Sequence, residues 1–246
     1  MSRGLGVTEA IVGSVPEWLV DLFASVSYLG DLAVIVPALG LLYLVDVRRG
    51  LRGGGTETTD GADGSRSLCS DRTAFLVAAV FGGLALVVAL KGLFTLPRPP
   101  AAWHAVSPSE YGFPSGHTMA ATVFWGSLAL WTTIGRRPTR LAVAAAVVSL
   151  VALSRLVLGV HFFVDVVASV AFGAVYLLAI ARLARGRPER AFAAAIALAL
   201  GAMIVTGGES RAVLALVGTV GGAAGWWLTE RPIVRERVRN ALQRAG

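Results

Sequence analysis

Cysteine occurs once in these 246 residues, histidine three times, and charged side chains make up only 15% of the chain. Each scarcity excludes something. A single thiol, Cys69, cannot close an intramolecular disulfide, and without a CxxC or Cys/His arrangement a zinc or redox role has little support. So little charge, beside 55% hydrophobic residues and a mean hydropathy of +0.70, lies outside the range of a soluble globular domain. No evident carboxylate cluster offers a divalent-ion site, and no long extramembrane domain is present. The first residues lack a cationic region followed by an apolar stretch and a small-residue cleavage site, so the N-terminus is expected to be retained.

What is abundant is apolar sequence of membrane-spanning length. Candidate spans run at 30–46, 74–95, 116–134, 140–158, 161–183, 191–207 and 211–229, each near the roughly 20 residues that cross an apolar core. In 9–29, Ile11, Val15, Trp18, Leu19, Leu22, Phe23 and Val26 recur at three- and four-residue spacing, interrupted by Glu9, Glu17 and Asp21. That pattern predicts an amphipathic helix at the interface; a full span here is the rival reading. The expected fold is therefore an all-α polytopic membrane bundle of six to seven transmembrane helices plus an N-terminal amphipathic helix. Its parts are the interfacial helix 1–29, a transmembrane domain 30–229 containing the loop 47–73, and a basic tail 230–246. The stretch 50–72, rich in Gly, Thr, Asp and Ser, reads as a flexible loop.

Seventeen of the 22 Lys and Arg residues fall on one side of this topology, in the loop after the first span, at 136–140, at 182–190 and in the tail. By the positive-inside rule that side is cytoplasmic and the other faces outward across the plasma membrane. The net charge of +7 thus reads as topology and contact with anionic lipid, not as nucleic-acid binding.

Three short blocks on the outward side hold ionisable groups that are expensive beside lipid. In the first, Lys91 ends a span and Arg98 follows between Pro97 and Pro99, which fix an extended exit. A snorkelling lysine beside an ordinary loop arginine would look the same. In the second, Pro114-Ser115-Gly116-His117 opens the third span, with serine as a favoured N-cap and glycine allowing close approach to unpaired backbone N–H groups. That is an anion site at a helix N-terminus, or a plain cap beside an interfacial histidine. In the third, Ser154-Arg155 closes the fourth span and His161 opens the fifth, with Asp165 four residues on. On a helix, positions four apart share a face, so Asp165 is expected to accept a hydrogen bond from one ring nitrogen of His161 and leave the other exposed, as for an oriented nucleophile or a structural pair.

Together, Lys91-x6-Arg98-Pro99, Pro114-Ser115-Gly116-His117 and Ser154-Arg155-x5-His161-x3-Asp165 resemble the three signature blocks of the type 2 phosphatidic acid phosphatase family, in order and complete over about 75 residues, 91–165. The vanadate-dependent peroxidases share these blocks but are soluble. The resemblance implies a metal-independent hydrolase without cofactor that acts on a membrane lipid phosphate or polyprenyl diphosphate. His161 would form a phosphohistidine, Asp165 would orient it, and His117 would protonate the leaving oxygen. Lys91, Arg98, Ser115, Gly116 and Arg155 would hold the phosphoryl oxygens. Transfer to an acceptor other than water and hydrolysis of a soluble phosphate ester are the alternatives within the family; a non-catalytic lipid-phosphate binder would need the cations but not the paired histidines.

Outside the blocks, His104, Glu110 and Tyr111 lie in the outer loop near the site, and Trp103 is placed for the interface. Gly218-x3-Gly222 and Gly221-x3-Gly225 permit close packing, within the chain or at a homodimer seam. Trp226 and Trp227 mark the cytoplasmic boundary, and 231–244 is expected to form an interfacial helix.

Overall fold

The computed structural model describes residues 5–12, 14–51, 68–109, 111–234, 236 and 237. Most of the flexible loop expected at 50–72, Glu110 and the tail beyond 237 lie outside the described residues. Among the described residues every regular element is helical: α1 Leu5–Val12, α2 Glu17–Ser27, α3 Leu32–Leu51, α4 Asp71–Phe94, α5 Gly116–Trp131, α6 Arg137–Val157, α7 Phe163–Ala184, α8 Pro188–Thr206 and α9 Ser210–Thr229, with short 3-10 turns at Tyr28–Gly30 and Ala101–Trp103.

Five of these, α4 and α6 to α9, are long and apolar enough to cross a membrane, or six if the bent pair at the N-terminus forms one span. Two expected spans are weaker than the sequence suggested. Helix α5 has 16 residues, about 24 Å at 1.5 Å per residue, and α3 carries Asp46, Arg48 and Arg49 near its C-terminal end. Both still complete the bundle.

Helix α4 is the axis, packed on α8, α5, α9 and α3. Phe75, Leu76 and Val80 on α4 meet Val123 and Phe124 on α5, Tyr176 and Ile180 on α7, and Phe192 on α8 in one core. The buried Tyr176 hydroxyl donates to the Ala79 carbonyl at 2.7 Å, so its burial leaves no unpaired polar group. Asp46 ties α3 to α4: its Oδ2 accepts the Ser70 N–H at 2.7 Å and the Ser70 hydroxyl at 2.8 Å, while Ser70 caps α4. One glycine pair expected to pack closely does so within the chain: a β-carbon at Gly218 would press on Phe81, and one at Gly222 would touch Phe192 and Phe81. Gly221 and Gly225 face open space.

The N-terminal segment differs from the single helix expected. Pro16 lacks an N–H and disfavours helix at Val15, and the chain bends by 117° between α1 and α2. The two helices also dock on the bundle: α2 lies on α6, and α1 touches α6 and α7. Trp18, 68% exposed, and Leu22 point away from it.

Chain alternation sets the ends. The C-termini of α4 and α6 and the N-termini of α3, α5 and α7 lie at one end, with Lys91, Arg98, the 114–117 block, Arg155 and His161. Arg48, Arg49, Arg72, Arg136, Arg137, Arg140, Arg182, Arg185, Arg187 and Arg190 lie at the other.

Candidate active site

Helix α4 stops at Phe94 because Thr95 turns left-handed, at φ 46°, its N–H bonded to the Lys91 carbonyl at 3.0 Å. The chain then returns on itself: the Gly112 N–H donates to the Leu96 carbonyl at 2.8 Å, and Gly112 lies against Pro97 and Arg98. Lys91, the only lysine in the chain, donates to the Tyr111 carbonyl at 2.7 Å. Its Cε stands 3.4 Å from where a β-carbon of Gly116 would be, which puts the ammonium stem beside the N-terminus of α5.

Block two meets block three through the backbone, where the Ser115 N–H donates to the Asp165 carbonyl at 3.3 Å. Ser115 occupies the N-cap position of α5, as expected, but its hydroxyl makes no capping bond. It pairs instead with the Thr118 hydroxyl at 3.0 Å, both groups buried. The first N–H groups of α5 have no intrahelical acceptor, and the Lys91 stem lies beside them.

His161 does not open the helix, contrary to the expected geometry. Helix α7 starts at Phe163 with Phe162 as N-cap, and Asp165 reaches back so that its Oδ2 accepts the Phe162 N–H at 2.9 Å. This is half of a capping box. The His161–Asp165 pairing thus comes from the cap, not from helical periodicity, and the Nδ1 to Oδ2 separation is 3.6 Å, an electrostatic contact longer than a hydrogen bond. The other ring nitrogen is not exposed either. His161 is 1% accessible, and Arg98 Nη1 lies 3.1 Å from Nε2. A guanidinium only donates, so Nε2 accepts, and in the neutral ring the proton sits on Nδ1, toward Asp165.

Arg98 is itself fixed from two sides. Its Nη1 donates to the Val160 carbonyl at 2.7 Å, its Nη2 to the Ser109 hydroxyl at 2.9 Å, and its Nε to the Ser109 carbonyl. Burial lowers its pKa to about 10 against the opposing pull of Asp165, so it stays charged at neutral pH. Burial, then Arg98, Arg155 and Lys91, hold the pKa of His161, which precedes α7, well below the ordinary imidazole value.

Arg155, 4% exposed at the end of α6, is the third cation around His161, and its Nε has no hydrogen-bond partner among the described residues. A buried guanidinium N–H left unpaired beside two more cations and a helix N-terminus is a site built for an anion with several oxygens. Among the described residues no three His, Cys, Asp or Glu side chains gather as a metal-ligand set.

His117, in the first turn of α5, presents Nε2 to Asp31 Oδ2 at 3.1 Å. The structure therefore brings together all eight residues singled out in the sequence and adds Asp31, Ser109, Thr118 and the Tyr111 carbonyl. The one legible signal for Asp31 was a lone carboxylate at the edge of an apolar run. Of the outer-loop candidates, His104 is turned to the Pro99 carbonyl at 3.1 Å, Tyr111 contributes its backbone, and Glu110 lies outside the described residues. Trp103 packs its carbonyl against Gly159.

A family model described as the PAP2 superfamily matches residues 72–189, which hold all three blocks. Residues 72–189 thus carry PAP2 superfamily sequence. Its fold is similar to the crystal structure of the first transmembrane PAP2 type phosphatidylglycerolphosphate phosphatase from Bacillus subtilis, at 25% identity and a TM-score of 0.56, over 73% of this chain and 83% of that one. It is also similar to Aquifex aeolicus LpxE, at 22% identity and a TM-score of 0.55, over 74% and 96%. No match is found among the curated proteins. The chain is thus an integral membrane protein with a PAP2 phosphatase fold.

Proposed function

We propose that this PAP2 protein hydrolyses a lipid phosphomonoester or a polyprenyl diphosphate at the outer membrane face, through a phosphohistidine on His161 and without a metal. One observation carries the reading: His161 Nε2, in the acceptor state, lies among Arg98, Arg155 and Lys91, with an Arg155 N–H unpaired among the described residues. In the first step Nε2 attacks phosphorus, the bond to the leaving oxygen breaks, and His117 gives that oxygen a proton. In the second, water attacks phosphorus, its proton passes to His117, and the phosphorus–nitrogen bond breaks to release phosphate. Arg98, Arg155, Lys91, Ser115 and the Gly116 N–H hold the equatorial oxygens, where charge stabilisation supplies most of the rate. Asp165 steadies the imidazolium.

Two features support a lipid. The site lies at the ends of membrane-spanning helices, and the rings of Phe94, Phe113 and Phe172 cluster beside it, with centroids 5.0 to 6.4 Å apart. Phe94 stands three residues from Lys91, Phe113 two from Ser115 and Phe172 seven from Asp165, so an apolar wall adjoins the cations. An acyl or prenyl chain lying there leaves its phosphate within their reach. The test is phosphate release by the purified protein from phosphatidic acid, phosphatidylglycerol phosphate, polyprenyl diphosphate and glucose 6-phosphate, with and without EDTA, beside His161→Ala. Release from a lipid that survives chelation, disappears in the variant and passes through an acid-labile phosphoenzyme is the expected result. Undiminished release by His161→Ala would overturn the nucleophile assignment.

A further inference from the structure

The three blocks supply no carboxylate for His117, yet one lies against it. Asp31 comes from the segment before α3, outside residues 72–189 where the family model matches. Its two oxygens do different work. Oδ1 accepts the Ala33 N–H at 2.8 Å at the start of α3, which fixes the carboxylate, and Oδ2 faces His117 Nε2 at 3.1 Å. The approach is held on both sides: the Trp125 indole donates to the Leu29 carbonyl at 3.1 Å, and Gly30 lies so close to the His117 carbonyl that a β-carbon there would collide with it. Residues 29–31 are thus clamped to the helix that carries His117.

A helix cap needs only one of those oxygens. A general acid surrounded by cations needs a counter-charge, and the charged groups that act on His117 are Asp31 from the segment before α3, Lys91 from α4 and Arg155 from α6. Of these only Asp31 favours the imidazolium. We propose that Asp31 is a positioning residue for His117. It accepts the Nε2 proton, fixes the ring, and leaves Nδ1 as the nitrogen that gives its proton to the leaving oxygen and takes one back from water. The site then contains two His–Asp pairs, one for the nucleophile and one for the acid. This role rests on the phosphatase reading above; the pairing itself does not.

The experiment uses the full-length protein in detergent. Asp31→Asn keeps an oxygen to cap α3 but removes the charge. The kcat/KM value reports steps only up to departure of the leaving group. An alkyl phosphate needs a proton at that point, whereas an aryl phosphate leaves as a stable phenolate. Asp31→Asn is expected to lower kcat/KM for the alkyl ester roughly 10- to 100-fold and for the aryl ester less than about threefold, with Asp31→Glu recovering part of the loss. In a His117→Ala background it should add nothing. Equal losses on both esters, or a fully additive loss in the double variant, would overturn the role. Nitrogen-15 NMR of the three histidines gives a second readout that needs no turnover. Protonation of His117 at Nε2 in the wild type, lost in Asp31→Asn, supports the pairing; an unchanged tautomer overturns it. If the wild-type protein releases phosphate from no ester, the phosphatase reading fails while the NMR still judges Asp31.

Discussion

A histidine can attack phosphorus only while one ring nitrogen keeps its lone pair, and His161 is surrounded by groups that protect it. Because its pKa is depressed, mainly by burial and then by Arg98, Arg155 and Lys91, the imidazole stays neutral through the neutral range. Activity should be lost on the acid side only below the ordinary imidazole value of about 6.5. Replacing Arg98 with glutamine removes one of the depressing charges, so the acid limb of kcat/KM should move up in pH while the maximum falls. A wild-type limb above 6.5 would remove the neutral-nucleophile account. Arg155 makes a complementary case. It is buried, unpaired at Nε among the described residues and close to like charges, a combination that opposes folding. Arg155→Met should therefore leave Tm unchanged or raise it while lowering kcat/KM at least about 100-fold. A large drop in Tm would mean that the guanidinium holds the fold, not the substrate.

At the scale of elements, the turn between α6 and α7 decides where His161 sits. Gly159 adopts φ +67° and packs so closely on the Trp103 carbonyl that no β-carbon fits, while the Ala105 N–H donates to the Leu158 carbonyl at 3.1 Å. Gly159→Ala combines a strained backbone with a steric clash, and about 1–3 kcal/mol of destabilisation is expected, seen as a lower Tm together with reduced activity. A silent substitution would show that the turn is free to move. The spans and the motif residues were legible because apolar runs and rare ionisable groups stand out without any knowledge of packing. What was not legible depended on tertiary contact. The α1–α2 bend was marked by Pro16, but its docking on α6 was not. The His161–Asp165 spacing was visible, yet it is produced by a helix cap and not by two residues on one helical face. Asp31 and Ser109 reach the site from 86 and 52 residues away from the histidines they serve, directly for His117 and through Arg98 for His161, and no local pattern announces such partners.

For the whole molecule, the arrangement separates two kinds of cation. The arginines at the far end of the bundle lie at the ends of the apolar helices, Arg231 with its guanidinium 3.6 Å over the Trp227 ring, whereas Lys91, Arg98 and Arg155 are turned inward around His161. Only the first set sets orientation, and under the positive-inside rule it should face the cytoplasm. The scarcity of cysteine makes this directly testable, because Cys69 is buried and is the only thiol. In a Cys69→Ser background, a cysteine placed at the exposed Ser107 on the site end should react with a membrane-impermeant maleimide in intact cells. One placed at the exposed Arg187 on the opposite end should react only after permeabilisation. The reverse pattern would put the phosphate site inside and would redirect the search for its substrate to lipids of the inner leaflet, while leaving the roles of His161, His117 and Asp31 as argued, since those depend on distances within the bundle and not on the side it faces.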